Sequence, residues 1–382
     1  MLIHQKKIEE NRKKLLDLLE GSSDITFIRG LGNIGDRLIY AGTRQLLSNH
    51  NYKEISVLKL SGINGHTALI SGSGSWCKVH HGMPKFLPII EELFERVIIL
   101  PSSFDTSVEL VKHALLNTKA IVLAREEVSY QQIHNICRAD IAYDCAFYFD
   151  YRPYKRQGTG ILNAFRTDRE SAMQELPPDN NDISLSCSSL DEWLWTIARH
   201  DIVRTDRAHV AIAAALIGKR VYYRSSNYHK VPAIVDFSLK EYSVSPAIDD
   251  TGLESAVPNV WEKQILELKS YIKSYIPPHR IFILVDGEDL KVELGLGDNA
   301  LPFLEKDGIY WGPPPDSITA IRELERLRET GVVAIVFAWP SFWWLDYYLE
   351  FHEYLKSRYE CILKNDGVVI FDLEKQIFQK VN

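Results

Sequence analysis

Residues 203–230 combine cationic and ionisable side chains with a predicted helix start, an arrangement that could bind an anion and move a proton. Asp206, Arg207 and His209 stand in a short polar turn that opens an alanine-rich run, and Gly218 ends that run. Alanine favours helix and glycine commonly terminates it, so the pattern predicts a helix from about 206 to 217. Histidine titrates near neutral pH and suits acid–base chemistry.

The start of this helix is the predicted anion site. Thr205 or Asp206 is the expected N-cap, which would put Arg207 and His209 in the first turn. Unpaired backbone N–H groups and the helix dipole favour a phosphate or carboxylate there. The segment also holds more basic than acidic residues, with six against the single Asp206, although the whole chain has a net charge of −7. The basic residues are Arg204, Arg207, Lys219, Arg220, Arg224 and Lys230.

Composition restricts the function classes. The net charge of −7 over 382 residues argues against general nucleic-acid binding, which requires a basic balance. The five cysteines are scattered without C-x-x-C spacing, which favours free thiols in a reducing compartment. The N-terminal stretch is too charged for a signal peptide, and no apolar run approaches the ~20 residues of a membrane span. We therefore expect a cytoplasmic protein, with peripheral attachment at the inner face of the membrane left open.

Strand-like and helix-like runs alternate along most of the chain, which predicts parallel sheets flanked by helices. Breaks in this pattern predict three α/β domains, at residues 1–150, 151–247 and 248–382. The aromatic cluster Trp343–Asp346 in the third domain is interpreted as a core or interface stripe, because aromatic side chains mostly bury area.

Glycine turns and charged pairs follow several predicted strands. Gly30–Asp36 lies between a strand and a helix, where glycine allows a ligand to approach the backbone, but a purely structural turn explains it equally well. A second turn, Ser71–Trp76, precedes His80 and His81, whose adjacent spacing is poor for one metal ion. Arg125 and Glu126 end another strand and could form either part of a site or an ordinary surface ion pair. The purely structural interpretation of residues 206–209 is an N-cap followed by a solvated helical turn.

Taken in order, these segments resemble the polysaccharide pyruvyl transferases across about residues 27–236. The segments are GNIGDRLI, ISGSGSW, IILPSSF, AREEVSY, ILNAFRTDRE and TDRAHVAIAAALIGKRVYYRSSNYHK. The resemblance implies two Rossmann-like domains facing a cleft, similar to GT-B glycosyltransferases. The third small α/β domain lies outside the resemblance and is predicted from the alternating pattern alone. The resemblance also implies transfer of a pyruvyl group from phosphoenolpyruvate to sugar hydroxyls as a ketal in exopolysaccharide or cell-surface glycan synthesis.

The resemblance implies site residues. Arg207 and His209 match an R-x-H motif, Arg166 and Asp168 an R-x-D pattern, Arg125 and Glu126 an R-[DE] pair, and Asn33 and Asp36 the N-x-G-D turn. Gly32, just before that turn, is a further candidate for substrate binding. Arg166 and Arg207 would clamp the two anionic groups of the donor. His209 would be the general acid–base, and either Asp36 or Asp206 would deprotonate the acceptor hydroxyl. Arg224 and Lys230 would add phosphate contacts.

This scheme requires neither a cofactor nor a metal, and its partners are phosphoenolpyruvate and a sugar or lipid-linked oligosaccharide. Homo-oligomerisation or contact with polysaccharide-assembly enzymes is left open, and no nucleic acid is expected. Residues 248–382 resemble modules attached to polysaccharide-biosynthesis glycosyltransferases, whose role stays undefined. Two alternatives remain. A GT-B-type glycosyltransferase would bind a nucleotide-sugar diphosphate at Arg207 and Lys230, and a non-catalytic scaffold of an assembly complex would work through its aromatic third domain.

Overall fold

The computed structural model describes residues 3–22, 24–30, 32–247, 260–286, 290–306 and 309–376. The chain divides into two compact units, Met1–Val260 and Trp261–Asn382. The first unit contains two parallel sheets, and the second contains a mixed sheet. The expected α/β class with Rossmann-like parallel sheets is therefore confirmed.

The first sheet has strand order β2-β1-β3-β4-β5-β6, and its paired strands run parallel. Its elements and their flanking helices are α1 Ile3–Asp17, β1 Ile25–Arg29, α2 Ile34–Leu46, β2 Tyr52–Ser56, β3 Gly65–Ile70, α3 Leu87–Leu93, β4 Phe94–Ser102, α4 Glu109–Asn117, β5 Ile121–Ala124, α5 Glu127–Ile133 and β6 Arg138–Ile141. Helices cover both faces of such a sheet, so its interior strands are rich in buried apolar residues. All four residues of β5 are buried.

The second parallel sheet has strand order β10-β9-β8-β7. Its elements are β7 Ile161–Ala164, α6 Ile183–Ser186, α7 Leu190–Ala198, β8 Ile202–Thr205, α8 Ala208–Ile217, β9 Arg220–Tyr223, α9 Lys230–Ile234 and β10 Val244–Pro246. A π-helical turn, Val235–Leu239, continues α9. Helix α8 is buried at every position except His209, so its alanines and branched residues pack on all sides.

The second unit has strand order β12-β11-β15-β17-β16, in which β17 runs antiparallel to both neighbours. Its elements are α10 Val260–Tyr275, β11 Phe282–Val285, α11 Leu290–Leu294, β12 Ala300–Pro302, β13 Glu305–Lys306, β14 Ile309–Tyr310, α12 Ser317–Glu329, β15 Ala334–Ala338, α13 Trp343–Tyr347, α14 Leu349–Arg358, β16 Tyr359–Lys364 and β17 Val368–Gln376. The aromatic stretch forms two helices because Tyr348 leaves helical geometry between them. Trp344 packs in the core, whereas Trp343 is 47% exposed.

Two local predictions are wrong. Helix α8 begins at Ala208 with Arg207 in the N-cap position, not Thr205 or Asp206, because both of those side chains are used elsewhere. Thr205 donates to the Ala164 carbonyl at 2.8 Å, and Asp206 accepts the Arg166 N–H at 2.8 Å. The composition of Asp140–Phe149 predicts strand material, but strand β6 ends at Ile141, because Asp144 caps a 3-10 turn at Cys145–Tyr148.

Candidate active site

The site-forming side chains of the first unit follow the carboxyl ends of parallel strands, where open α/β sheets bind ligands. In the first sheet, Asn33 follows β1, Gly74 follows β3 and Arg125 follows β5. In the second sheet, Arg166 follows β7 and Arg207 follows β8.

Arg125, Asp144 and His209 join the two sheets. The Arg125 guanidinium donates from Nη1 to Asp144 Oδ2 at 2.9 Å and from Nε to Ser103 Oγ at 2.8 Å. His209 reaches this pair from α8, its Nε2 lying 3.3 Å from Arg125 Nη1 and 3.5 Å from Asp144 Oδ2. Arg125 and Asp144 are 1% exposed at their side chains, and His209 is 13% exposed. The imidazole is thus the member of the group that solvent or substrate reaches most readily.

Electrostatics keep Asp144 ionised. Burial by itself would raise its pKa, but the hydrogen bond and charge of His209, together with the Arg125 charge, lower the pKa to about 2. A carboxylate beside a histidine orients the ring and stabilises its cation, as in catalytic triads. Asp144 was absent from the predicted site, although its place just beyond β6, beside the end of β5, is a signal that could have indicated it.

The glycine turn before α2 packs against the other side of the His209 ring. Asn33 and Asp36 form a capping box, in which Asn33 Oδ1 accepts the Gly35 N–H at 2.8 Å and Asp36 Oδ2 accepts the Asn33 N–H at 3.0 Å. A Cβ on Gly35 would lie 3.1 Å from His209 Nδ1, and one on Gly32 would lie 2.2 Å from Asp36 Oδ2. The turn therefore has a structural role, because it caps α2, and it also contacts the histidine.

Arg207 lies inside a carboxylate cage. Its Nε and Nη2 donate to the two oxygens of Asp182 at 2.6 Å each, and Nη2 also donates to Asp168 Oδ2 at 2.8 Å. Arg207 is 4% exposed, so the solvated-turn interpretation of residues 206–209 is wrong. Asp182 was missed because it lies in a polar loop before α6 and carries no motif. The charges on Arg166 and Arg207 overcome burial and lower the pKa of Asp168 to about 2.

A second group of charges surrounds Glu170. Its carboxylate pairs with Arg166, accepts from Lys230 Nζ at 2.7 Å and from the Tyr228 hydroxyl at 3.2 Å, and lies 3.5 Å from His80 Nε2. Burial, together with the charges of Arg166 and Arg125, lowers the pKa of Lys230 well below its usual value. A bound anion would relieve this crowding of cations.

The turn at Gly74 opens onto these cations. The position that a Gly74 Cβ would occupy lies 3.6 Å from Arg125 Nη2, 3.6 Å from Lys230 Nζ and 3.8 Å from the Tyr228 hydroxyl. Donors from both sheets therefore converge on one point that holds no side chain. Two cations and a hydroxyl with this spacing are suited to the oxygens of a phosphate or carboxylate.

Asp206 is fully buried. Burial raises its pKa to about 6, against the favourable charges of Arg166 and Arg207. Among the described residues, its Oδ2 atom has no hydrogen-bond partner.

Arg125 and Glu126 do not form a surface ion pair, so that alternative is wrong. Glu126 is buried and caps α5 by accepting the Ser129 N–H at 2.8 Å, and its Oε1 lies 3.5 Å from His229 Nε2. Arg224 contributes its backbone to the sheet, and its guanidinium lies over the Phe165 ring at 5.9 Å. The geometry does not bring Arg224 into the group around Gly74.

Two features are absent from the described residues. These residues contain no group of three or more His, Cys, Asp or Glu side chains arranged to hold a metal ion. No helix in the same part of the chain is long and apolar enough to cross a membrane.

Comparisons with known proteins identify the family. The family model described as polysaccharide pyruvyl transferase matches residues 33–228, about half of the chain. A crystal structure of an uncharacterized protein from Klebsiella pneumoniae is similar, with a TM-score of 0.52 and 25% identity, covering 63% of this chain and 99% of that one. No curated protein gives a significant match. The matched residues include the turn at Asn33, Arg125, Asp144 and His209, and the chain belongs to the polysaccharide pyruvyl transferase family and is a transferase.

Proposed function

We propose that the protein transfers the pyruvyl group of phosphoenolpyruvate to two hydroxyls of a sugar, forming a ketal. The observation that carries the proposal is the convergence of Arg125 and Lys230 on the opening at Gly74, with His209 Nε2 lying 3.3 Å from Nη1 of the same arginine. An anionic donor held by the two cations would lie beside a group able to transfer a proton.

The donor has two anionic groups, and we assign one of them to the opening at Gly74. Arg125 and Lys230 are suited to this contact because each has a nitrogen within 3.6 Å of that point. Arg166 and Arg207, which the sequence suggested as direct clamps, are not among the three nearest neighbours of that point and would act mainly by fixing Glu170 and Asp168, with which they pair. Their charges still favour an anion in the site.

The reaction balances without a redox partner. His209 in its protonated form gives a proton to the methylene carbon of the enol, which becomes a methyl group and leaves a cationic centre at the adjacent carbon. One sugar hydroxyl adds to that carbon and gives its proton to a carboxylate base, which passes it to the phosphate as the C–O bond to phosphate breaks. The second hydroxyl then adds and gives its proton back to the histidine.

We assign deprotonation of the acceptor hydroxyl to Asp36 in preference to Asp206. Asp206 is 0% exposed, so an acceptor cannot approach its carboxylate without a rearrangement of α8. Asp36 is half-buried and belongs to the turn that contacts His209 through Gly35. The Asn33 N–H is accepted by Asp36 Oδ2, so Oδ1 is the oxygen that would take the proton.

The two parallel sheets are proposed to form the walls of a GT-B-like cleft, the first around Arg125 and the second around Arg207. The carboxyl ends of their strands carry the residues assigned to the donor, as expected for ligand sites in open sheets. No metal or organic cofactor is required by the steps above. The donor and acceptor are the substrates proposed, and the acceptor belongs to a polysaccharide precursor.

The test is phosphate release from phosphoenolpyruvate in the presence of p-nitrophenyl glycosides of glucose, galactose and mannose, with product masses recorded. We expect a sugar-dependent release that His209→Gln abolishes and that the exposed control His113→Gln retains. Release that is independent of His209 would refute the role of the histidine. Transfer of sugar from a nucleotide sugar, without reaction of phosphoenolpyruvate, would support the glycosyltransferase alternative.

A further inference from the structure

A surface cavity of about 300 Å³ lies between α5 and the segment formed by α9 and its π-helical turn. Its lining residues are Glu127, Val128, Ala233, Asp236, Phe237 and Lys240. None of these residues has a role in the proposed donor site. The cavity, called the 127–240 cavity below, is therefore a separate feature of the first unit.

The 127–240 cavity adjoins the donor site. Glu127 is two residues beyond Arg125, and Glu126 between them lies 3.5 Å from His229. On the other wall, Ala233 stands three residues after Lys230 on α9, so the two share a helix face about one turn apart, roughly 5 Å. The cavity is therefore lined by the same two segments, the start of α5 and helix α9, that adjoin or carry Arg125 and Lys230.

The lining is suited to a polyol. Glu127 and Asp236 present carboxylates, which accept hydrogen bonds from hydroxyl groups but repel an anionic donor such as phosphoenolpyruvate. Lys240 supplies a donor at the same rim. The cavity thus favours a neutral, hydroxyl-rich ligand over a second phosphate.

Apolar groups complete the lining. Phe237 is held edge to face by Tyr143, with ring centroids 5.3 Å apart, and Val128 and Ala233 add aliphatic surface. The C–H faces of a sugar ring are apolar and pack on such groups, while its hydroxyls project outward. Asp236 and Phe237 both belong to the π-helical turn Val235–Leu239, a distortion found frequently at functional sites.

We propose that the 127–240 cavity is the acceptor subsite, which binds the hexose ring that receives the pyruvyl group. This inference rests on the proposed function for the identity of the reaction, but the binding of the sugar is a separate property. Phe237 orients the ring, and Glu127 and Asp236 select it by its hydroxyls. The hydroxyl pair to be modified then points toward the donor held at Gly74.

Saturation-transfer NMR with the same p-nitrophenyl glycosides tests the subsite without any turnover. We expect at least one glycoside to bind the wild-type protein, and Asp236→Asn and Glu127→Gln each to weaken it roughly tenfold, as the loss of a hydrogen bond to a charged group does. Phe237→Ala should abolish binding, and Phe237→Tyr, which retains the ring, should restore it. Circular dichroism of each variant verifies the fold, and the isosteric carboxylate variants preserve the packing in any case.

The control is Glu109→Gln, an exposed acid in the first turn of α4 placed as Glu127 is in α5. It should bind the glycosides as the wild type does, and phosphoenolpyruvate binding by calorimetry should stay within twofold in every variant. Equal glycoside binding by wild type, Asp236→Asn and Phe237→Ala would overturn the subsite, and so would a lack of glycoside binding by the wild type. Failure of pyruvyl transfer with normal, Asp236-dependent glycoside binding would instead refute the donor assignment.

Discussion

Replacing Asp206 with asparagine should change how stability depends on pH. Burial raises the pKa of Asp206 from 3.8 to about 6, a difference of about 2 pH units. Each unit corresponds to about 1.4 kcal/mol, so ionisation of this carboxyl at neutral pH destabilises the folded state by roughly 3 kcal/mol. The folded protein binds the proton more tightly than the unfolded chain does, and stability therefore falls as pH rises from 3.8 to 6.

Asparagine has a similar shape and keeps an oxygen that can accept the Arg166 N–H. Its buried amide nitrogen costs about 1–3 kcal/mol if unpaired, but that cost is the same at every pH. The informative quantity is therefore the free energy of unfolding of Asp206→Asn minus that of the wild type. Between pH 4.5 and 7.5 this difference should shift by roughly 2 kcal/mol in favour of the variant.

Urea unfolding followed by circular dichroism at several pH values measures the difference, with Glu109→Gln as the exposed control. The control should show a difference that is flat with pH. A flat difference for Asp206→Asn as well would refute the reasoning, because it would mean that the buried carboxyl does not change its protonation state in this range.

Three further substitutions test other parts of the structure. Gly74→Ala should leave the fold intact, because the new Cβ would meet its nearest neighbours at 3.6 Å, but it should raise the KM for phosphoenolpyruvate at least tenfold. The control is Gly82→Ala, whose new Cβ would have nothing within 4 Å. Equal KM values for the two variants would contradict the assignment of the donor site. Arg207→Met should lower the free energy of unfolding by about 3–5 kcal/mol in urea titrations, because it removes the buried cation that pairs with both Asp168 and Asp182. A change below about 1 kcal/mol would contradict this. Asp316→Ala should destabilise the second unit by about 1 kcal/mol through loss of the α12 cap at Thr319, measured by hydrogen exchange of α12; unchanged exchange would count against the cap.

Most of the predictions from the sequence rested on the hydrophobic periodicity of helices and strands and on the residues at the ends of predicted strands. Strand β8 at Ile202–Thr205 and the Asp316 cap of α12 are features of this kind, because both depend on local composition. Arg125 and His209, predicted from separate motifs, meet in space, since parallel strands bring their carboxyl ends to one edge. These features follow from short-range patterns and one topological rule.

Long-range pairing explains what the sequence could not predict. Asp206 could accept a hydrogen bond either from its own helix, as the N-cap of α8, or from a residue beyond the neighbouring strand β7. In the structure it accepts the Arg166 N–H, so it does not cap α8. Asp182 neutralises Arg207 from 25 residues away, in a loop without periodicity, so nothing local indicates the pair. The 127–240 cavity likewise depends on the π-helical turn at Val235–Leu239, which no sequence pattern predicts.

The central claim is that His209 protonates the methylene carbon of phosphoenolpyruvate during transfer to a sugar. Running the reaction in D₂O with the glycoside acceptors and analysing the ketal by NMR and mass spectrometry tests it most directly. We expect a ketal whose methyl group carries one deuterium from the solvent. The wild type and His113→Gln should form this product, and His209→Gln should not. A methyl group without deuterium, or product formed at the wild-type rate by His209→Gln, would contradict the claim.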